Sequence, residues 1–124
     1  MKRVLVLLAL GLITSVACGQ SAQPATVAQA KTYIGKGAQV LDVRTPTEVA
    51  AGKVKGATVA NVNAPDFDAA LSLLDKQKPV VVYCAAGVRA RRAADRLVAQ
   101  GFTQVYYLAG AGFEALKTAG IATE

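Results

Sequence analysis

Among the residues able to do covalent chemistry, Cys84 has the most suggestive setting. It follows the unbroken run Val80-Val81-Val82-Tyr83, and Ala85-Ala86-Gly87-Val88 separates it from Arg89. Small side chains and a glycine let such a loop curl until successive N–H groups converge on the sulfur, because Gly87 can adopt turns that other residues avoid. Those amides, with the positive end of a helix starting soon after, would stabilise a thiolate or persulfide anion. The thiolate is the nucleophilic form of cysteine. A buried, inert cysteine is the competing reading, since free Cys packs as a small hydrophobe. The strand-end position, Gly87 and the arginines that follow favour the reactive one. The chain has no His, so a Cys-His catalytic pair is impossible and metal binding is not expected.

Charge narrows the substrate class. Net charge is +6, and without Lys2 and Arg3 twelve cations face eight acids, leaving +4. Arg89, Arg91, Arg92 and Arg96 crowd together with no aromatic residue between them. That pattern suits a small anionic substrate, whereas nucleic-acid binding interleaves cations with stacking rings. Arg89 closes the loop and is expected to meet the substrate anion. Arg92 and Arg96 share a helical face and read as solvated, or as an electrostatic funnel. Asp95 lies four residues after Arg91 and is placed to pair with it.

The elements that must position these groups begin after an export signal. Lys2 and Arg3 precede ten apolar residues, 4–13, and small residues at 15 and 17 stand before Cys18. This is the pattern of a signal peptide, and the run is shorter than the roughly 20 residues that span a bilayer. Cys18 after small residues resembles the lipobox of bacterial lipoproteins, with Ser15 where Leu is usual. The expectation is an exported bacterial protein, either anchored through a lipidated Cys18 or released to the periplasm. If Cys18 is acylated or removed, Cys84 is left with no resolving thiol, which argues against a dithiol mechanism.

Residues 19–25 read as a tether and 26–124 as one domain, long enough to bury a real core. Thr26 caps a helix over 27–34 that Gly35 and Gly37 end. Residues 39–43 form a short apolar run read as a buried strand. Thr45-Pro46 opens a brief helix that Gly52 stops, and 57–62 is a weaker strand. A helix over 66–74 presents Phe67, Ala70, Leu71 and Leu74 on one face. The strand 80–83 has the β-branched composition of a central parallel strand covered on both sides. A helix over 88–100, a strand over 103–108 and a helix over 113–119 complete the chain. Strands alternating with helices predict an open parallel α/β sheet with helices on both faces. Ligands in such sheets bind at the carboxyl ends of the strands. Two such ends carry suggestive groups, Asp42 with Arg44 and, separately, Cys84.

The motifs themselves resemble those of single-domain rhodanese homologues. Y-C-A-A-G-V-R-A (83–90) is similar to their C-x-x-G-x-R-[SA] loop, and L-D-V-R-T-P-T-E (41–48) to L-[IL]-D-V-R-x-x-x-E. G-K-V-K-G-A-T-V-A-N (52–61) is similar to G-H-I-x-G-A-x-N with an insertion, and Y-L-A-G-A-G-F-E-A-L (107–116) to L-x-G-G-x-x-A-W. The four occur in the family's order and cover most of the chain from Thr26. The resemblance, which extends to exported phage-shock-type sulfurtransferases, implies a rhodanese-like fold and a persulfide cycle. Cys84 would take a sulfane sulfur from a donor such as thiosulfate and pass it to cyanide or a thiol. Backbone amides of Ala85, Ala86, Gly87, Val88 and Arg89 would hold the anion, without metal or organic cofactor. By the same resemblance Asp42 supports the loop. Arg44 either lies near the pocket mouth or bonds to Glu48. A monomer or weak dimer is expected, with no nucleic-acid partner. Phosphatases and arsenate reductases of this architecture place five residues between Cys and Arg; here there are four, a cradle sized for one sulfur. Departures are Ala85 where thiosulfate-preferring tandem enzymes carry a basic residue, Lys53 for His, Ala111 within the Gly-Gly pair, and Leu116 for Trp. A non-enzymatic partner-binding or redox-sensing domain is the alternative, though such domains usually lose the cysteine.

Overall fold

The computed structural model describes residues 21–124. The signal and lipobox reading of 1–18, Cys18 included, lies outside the described residues, as does the start of the tether.

The fold is a five-stranded parallel sheet. In chain order the elements are β1 (Gln23–Ala25), α1 (Val27–Gly35), β2 (Gln39–Asp42), α2 (Pro46–Ala50), β3 (Thr58–Val59), α3 (Phe67–Ala70, running into a 3-10 turn at Leu71–Leu73), β4 (Val80–Tyr83), α4 (Val88–Ala99), β5 (Val105–Leu108) and α5 (Phe113–Thr118). The strand order is β1-β5-β4-β2-β3, so β4 lies at the centre. All four residues of β4 are fully buried, as its unbroken apolar sequence requires of a strand covered on both faces.

Successive residues of β4 point to opposite faces, and this alternation aims the thiol. Val80, Val82 and Cys84 join the core layer beneath α3 and α4, with Phe67, Leu71, Ala90, Ala94 and Leu97. Val81 and Tyr83 join the layer beneath α1 and α5, with Ala30, Leu108, Phe113 and Leu116. Burying each valine contributes about 1.5–3 kcal/mol. Cys84 therefore emerges on the α4 side, and Tyr83 on the other.

Three expectations change. Residues 23–25, read as tether, pair in parallel with β5, Gln23 opposite Tyr106 and Ala25 opposite Leu108. Pro24 cannot donate to a ladder, but an edge strand tolerates that. The strand expected over 57–62 shrinks to Thr58–Val59, because β2 offers only Leu41 and Asp42 as partners. The helix expected over 66–74 is four residues followed by the 3-10 turn, and Asp66 at its start makes no capping bond.

Candidate active site

Helices α1 and α2 are capped by side chains, and α4 is not. Thr26 accepts the N–H of Gln29, and Thr45 that of Glu48, each within a full capping box. At α4 the N-cap is Gly87, at φ 104°, with no side chain to accept anything. The first amides of a helix have no partner within it, so at α4 they are left for another acceptor.

Just ahead of them, one amide of the loop turns to the sulfur. The Gly87 N–H donates to Cys84 Sγ at 3.1 Å. Among the described residues, the amides of Ala85, Ala86, Val88, Arg89 and Ala90 meet no protein acceptor. Cys84 is 1% exposed, free and unpaired with any thiol among the described residues, while Ala85 and Ala86 above it are exposed. The loop thus sets one N–H on the sulfur and leaves five further amides without a protein acceptor, an amide-rich ring with very small side chains at its rim.

A second backbone braces the ring. The Phe113 N–H donates to Cys84 O at 3.0 Å. A Cβ on Gly112 would lie 2.1 Å from Ala85 O and 2.3 Å from Cys84 O, and one on Gly87 would lie 2.7 Å from Gly110 N. Glycine at 112 answers to space, since its backbone is extended at φ −158°. Glycine at 87 answers to both space and a left-handed turn.

The expected site residues fall into two ion pairs. Arg89 turns to Glu48, Nη1 to Oε1 at 2.6 Å and Nη2 to Oε2 at 2.9 Å. The Arg89 guanidinium holds the Glu48 carboxyl down to about 2. Arg89 therefore closes the loop, with its charge matched by the Glu48 carboxylate. Arg44 does not bond to Glu48. Its Nη2 donates to Asp42 Oδ2 at 2.7 Å and to Gly52 O at 2.6 Å, and Nε bridges both Asp42 oxygens. The guanidinium lies 4.4 Å from the Phe113 ring centroid, a cation–π contact inside the core. Arg44 edges a cleft walled by Pro46, Asn61 and Phe67 that the cysteine loop does not line.

Asp42 makes no direct bond to the loop. It accepts the Tyr83 hydroxyl at 2.6 Å, and that oxygen accepts the Val54 N–H at 3.0 Å. Burial, reinforced by the bond to Asp42, pushes the Tyr83 phenol above its ordinary value, so it remains a donor. Asp42 thus supports the residue preceding the nucleophile, one step removed from the sulfur. Tyr83 and Glu48 were missed as site residues. Glu48 had a signal in the final position of the 41–48 motif; Tyr83 read simply as core.

The other arginines of α4 divide. Arg96 donates to Asp68 Oδ1 at 2.7 Å and covers the Phe67 ring at 4.6 Å. Arg92 donates to Asn63 Oδ1 at 2.5 Å. Arg96 thus ties α4 to α3, and Arg92 ties it to the segment before α3. Arg91 and Asp95 form no ion pair among the described residues, consistent with the weaker of the two helical orders, cation before acid.

The Rhodanese-like domain family profile matches residues 26–119. The thiosulfate sulfurtransferase GlpE of Pseudomonas fluorescens is 45% identical over 84 residues, 67% of this chain and 73% of that protein. Its counterpart in Pseudomonas aeruginosa (strain LESB58) is 40% identical over 87 residues, covering 69% and 76%. In three dimensions a rhodanese-related protein of Thermoplasma volcanium superposes with a TM-score of 0.68 at 24% identity, over 82% of this chain and 97% of that one; that likeness concerns the fold.

Proposed function

The chain belongs to the rhodanese-like domain family, and on that premise we propose that it is a thiosulfate sulfurtransferase working through a persulfide on Cys84. The observation that carries this reading is the amide ring. One N–H already donates to Sγ, five neighbouring amides are unclaimed, and the helix behind them lacks a side-chain cap. The relatives that share this chain's sequence at 40–45% identity are thiosulfate sulfurtransferases.

In the proposed cycle the Cys84 thiolate attacks the outer sulfur of thiosulfate. The new Sγ–S bond forms as the donor's S–S bond breaks, and sulfite leaves with that electron pair. The persulfide anion sits in the ring, where preorganised dipoles favour negative charge without reorganising. Cyanide or a thiolate then attacks the outer sulfur and returns Cys84 as thiolate. Every step is a displacement at sulfur, so the chain needs no metal or organic cofactor for it. Glu48 and Arg89 hold the far end of the loop, and the Asp42–Arg44–Tyr83 network holds the near end.

The same proposal places the protein outside the cytoplasm, exported by residues 1–18 and tethered through an acylated Cys18. A mass spectrum of the protein from its native host tests this, since acylation at Cys18 and sulfur on Cys84 appear as separate mass increments. For the activity itself the test is turnover with thiosulfate and cyanide. Thiocyanate is expected from the intact chain and none from Cys84→Ser. A partner interaction that persists in Cys84→Ser, with no thiocyanate from either chain, would instead identify a binding domain.

A further inference from the structure

Among the described residues, the charges around the loop leave one arginine of α4 uncommitted beside a cleft. Arg89 is matched by Glu48, Arg44 by Asp42 and Arg96 by Asp68, while Arg92 is held by Asn63. Arg91 is exposed and forms no ion pair among the described residues, not even with Asp95 one turn away. It lines a cleft of about 270 Å³ whose other walls include Ala86, Gly87, Val88, Tyr107 and Ala109. Apart from Arg91 and the Tyr107 phenol, those walls are small side chains, the exposed Val88 and backbone. The floor is built where Gly87 and Gly110 pack backbone to backbone.

The cleft shares a wall with the amide loop, although Cys84 itself does not line it. Gly87 belongs to both, through its N–H at 3.1 Å from Sγ and its place in the cleft wall. Cys84 itself is almost wholly covered. A persulfide carries the reacting atom about 2 Å beyond Sγ, so an acceptor in the cleft need not reach the buried Sγ itself.

We propose that this cleft seats the sulfur acceptor and takes a small thiol bearing a carboxylate, with Arg91 meeting the carboxylate. The proposal rests on the persulfide reading above. In the step it describes, the acceptor thiol gives its proton to the persulfide anion, and the thiolate so formed attacks the outer sulfur. The bond between that sulfur and Sγ breaks, its electron pair remains on Sγ as thiolate, and the acceptor departs as its own persulfide with the proton. No oxidant or reductant is consumed. Arg91 is a specificity-determining residue for the acceptor half of the cycle and has no part in loading.

The test compares two thiols of similar size, 3-mercaptopropionate and neutral 2-mercaptoethanol, as acceptors from the thiosulfate-loaded full chain. Arg91→Gln is expected to raise KM for 3-mercaptopropionate about three- to fivefold, the range of an exposed charge pair. KM for 2-mercaptoethanol and the extent of loading are expected to stay unchanged. Arg91→Lys should restore most of the affinity, and Arg92→Gln should leave both thiols as they were. Equal KM changes for both thiols, or none, would overturn the assignment of Arg91 while loading still supports the persulfide. Failure of the unsubstituted chain to load would instead remove the reading on which the proposal rests.

Discussion

Asp42→Asn keeps the shape of a side chain and removes the charge that balances a buried guanidinium. Asp42 is 0% and Arg44 5% exposed. Breaking such a pair by neutralising one partner costs about 3–5 kcal/mol, because the other charge is left uncompensated. Here Arg44 keeps the Gly52 carbonyl at 2.6 Å and the Phe113 ring at 4.4 Å, and the Asn carbonyl still accepts one bond. The loss should therefore lie at the lower end, about 3 kcal/mol. With a urea slope of about 2 kcal/mol per M, the midpoint falls by about 1.5 M. Adding Arg44→Met removes the stranded charge and should recover at least half of that loss, a coupling read from the double-mutant cycle. Urea unfolding followed by circular dichroism measures all four chains. A midpoint shift below about 0.5 M for Asp42→Asn, or a double variant no more stable than the single, would refute the account of this network.

Gly112→Ala places a Cβ 2.1 Å from Ala85 O; the bracing segment must withdraw, costing about 2 kcal/mol or more and reducing thiosulfate loading, and a fully active variant with an unshifted midpoint would contradict the packing described. Gly87→Ala meets both the left-handed backbone and Gly110 N at 2.7 Å, so it should lose the sulfur ring and with it thiocyanate formation. The Glu48–Arg89 pair predicts a pH dependence. Arg89 lowers the Glu48 pKa from 4.5 to about 2, so the pair's stabilisation is complete above pH 4.5 and lost as pH falls towards 2. Both side chains are partly exposed, 33% for Glu48 and 23% for Arg89, and solvent screening leaves about 1 kcal/mol of it. Glu48→Gln should be less stable by that amount at pH 7, and the gap should close between pH 4.5 and 2; a constant gap in urea unfolding would show that the pair is not its source.

The elements that local chemistry dictates were legible in the chain. Thr26 and Thr45 mark their helices through capping boxes, and Val80-Val81-Val82 can only be a doubly covered strand. Cys84 at the end of that strand, Gly87 at the turn and the helix behind them follow from adjacent residues, so the loop could be read directly. What escaped was set by partners distant in sequence. The pairing of Arg89 went unread because Glu48 stands 41 positions earlier. Tyr83 read as core because its hydroxyl finds Asp42 across the neighbouring strand, also 41 positions away. The strand β1 escaped for a different reason: three residues with a proline carry almost no periodic signal, and β5 alone organises them.

The central claim is that Cys84 carries a transferable sulfur, and intact-mass measurement tests it most directly. After brief treatment with thiosulfate and removal of excess donor, the chain should gain one sulfur atom, about 32 Da. Cyanide should remove that increment with formation of an equivalent of thiocyanate, and Cys84→Ser should gain nothing. A chain that takes up no sulfur, or a Cys84→Ser variant that gains the same mass, would contradict the account.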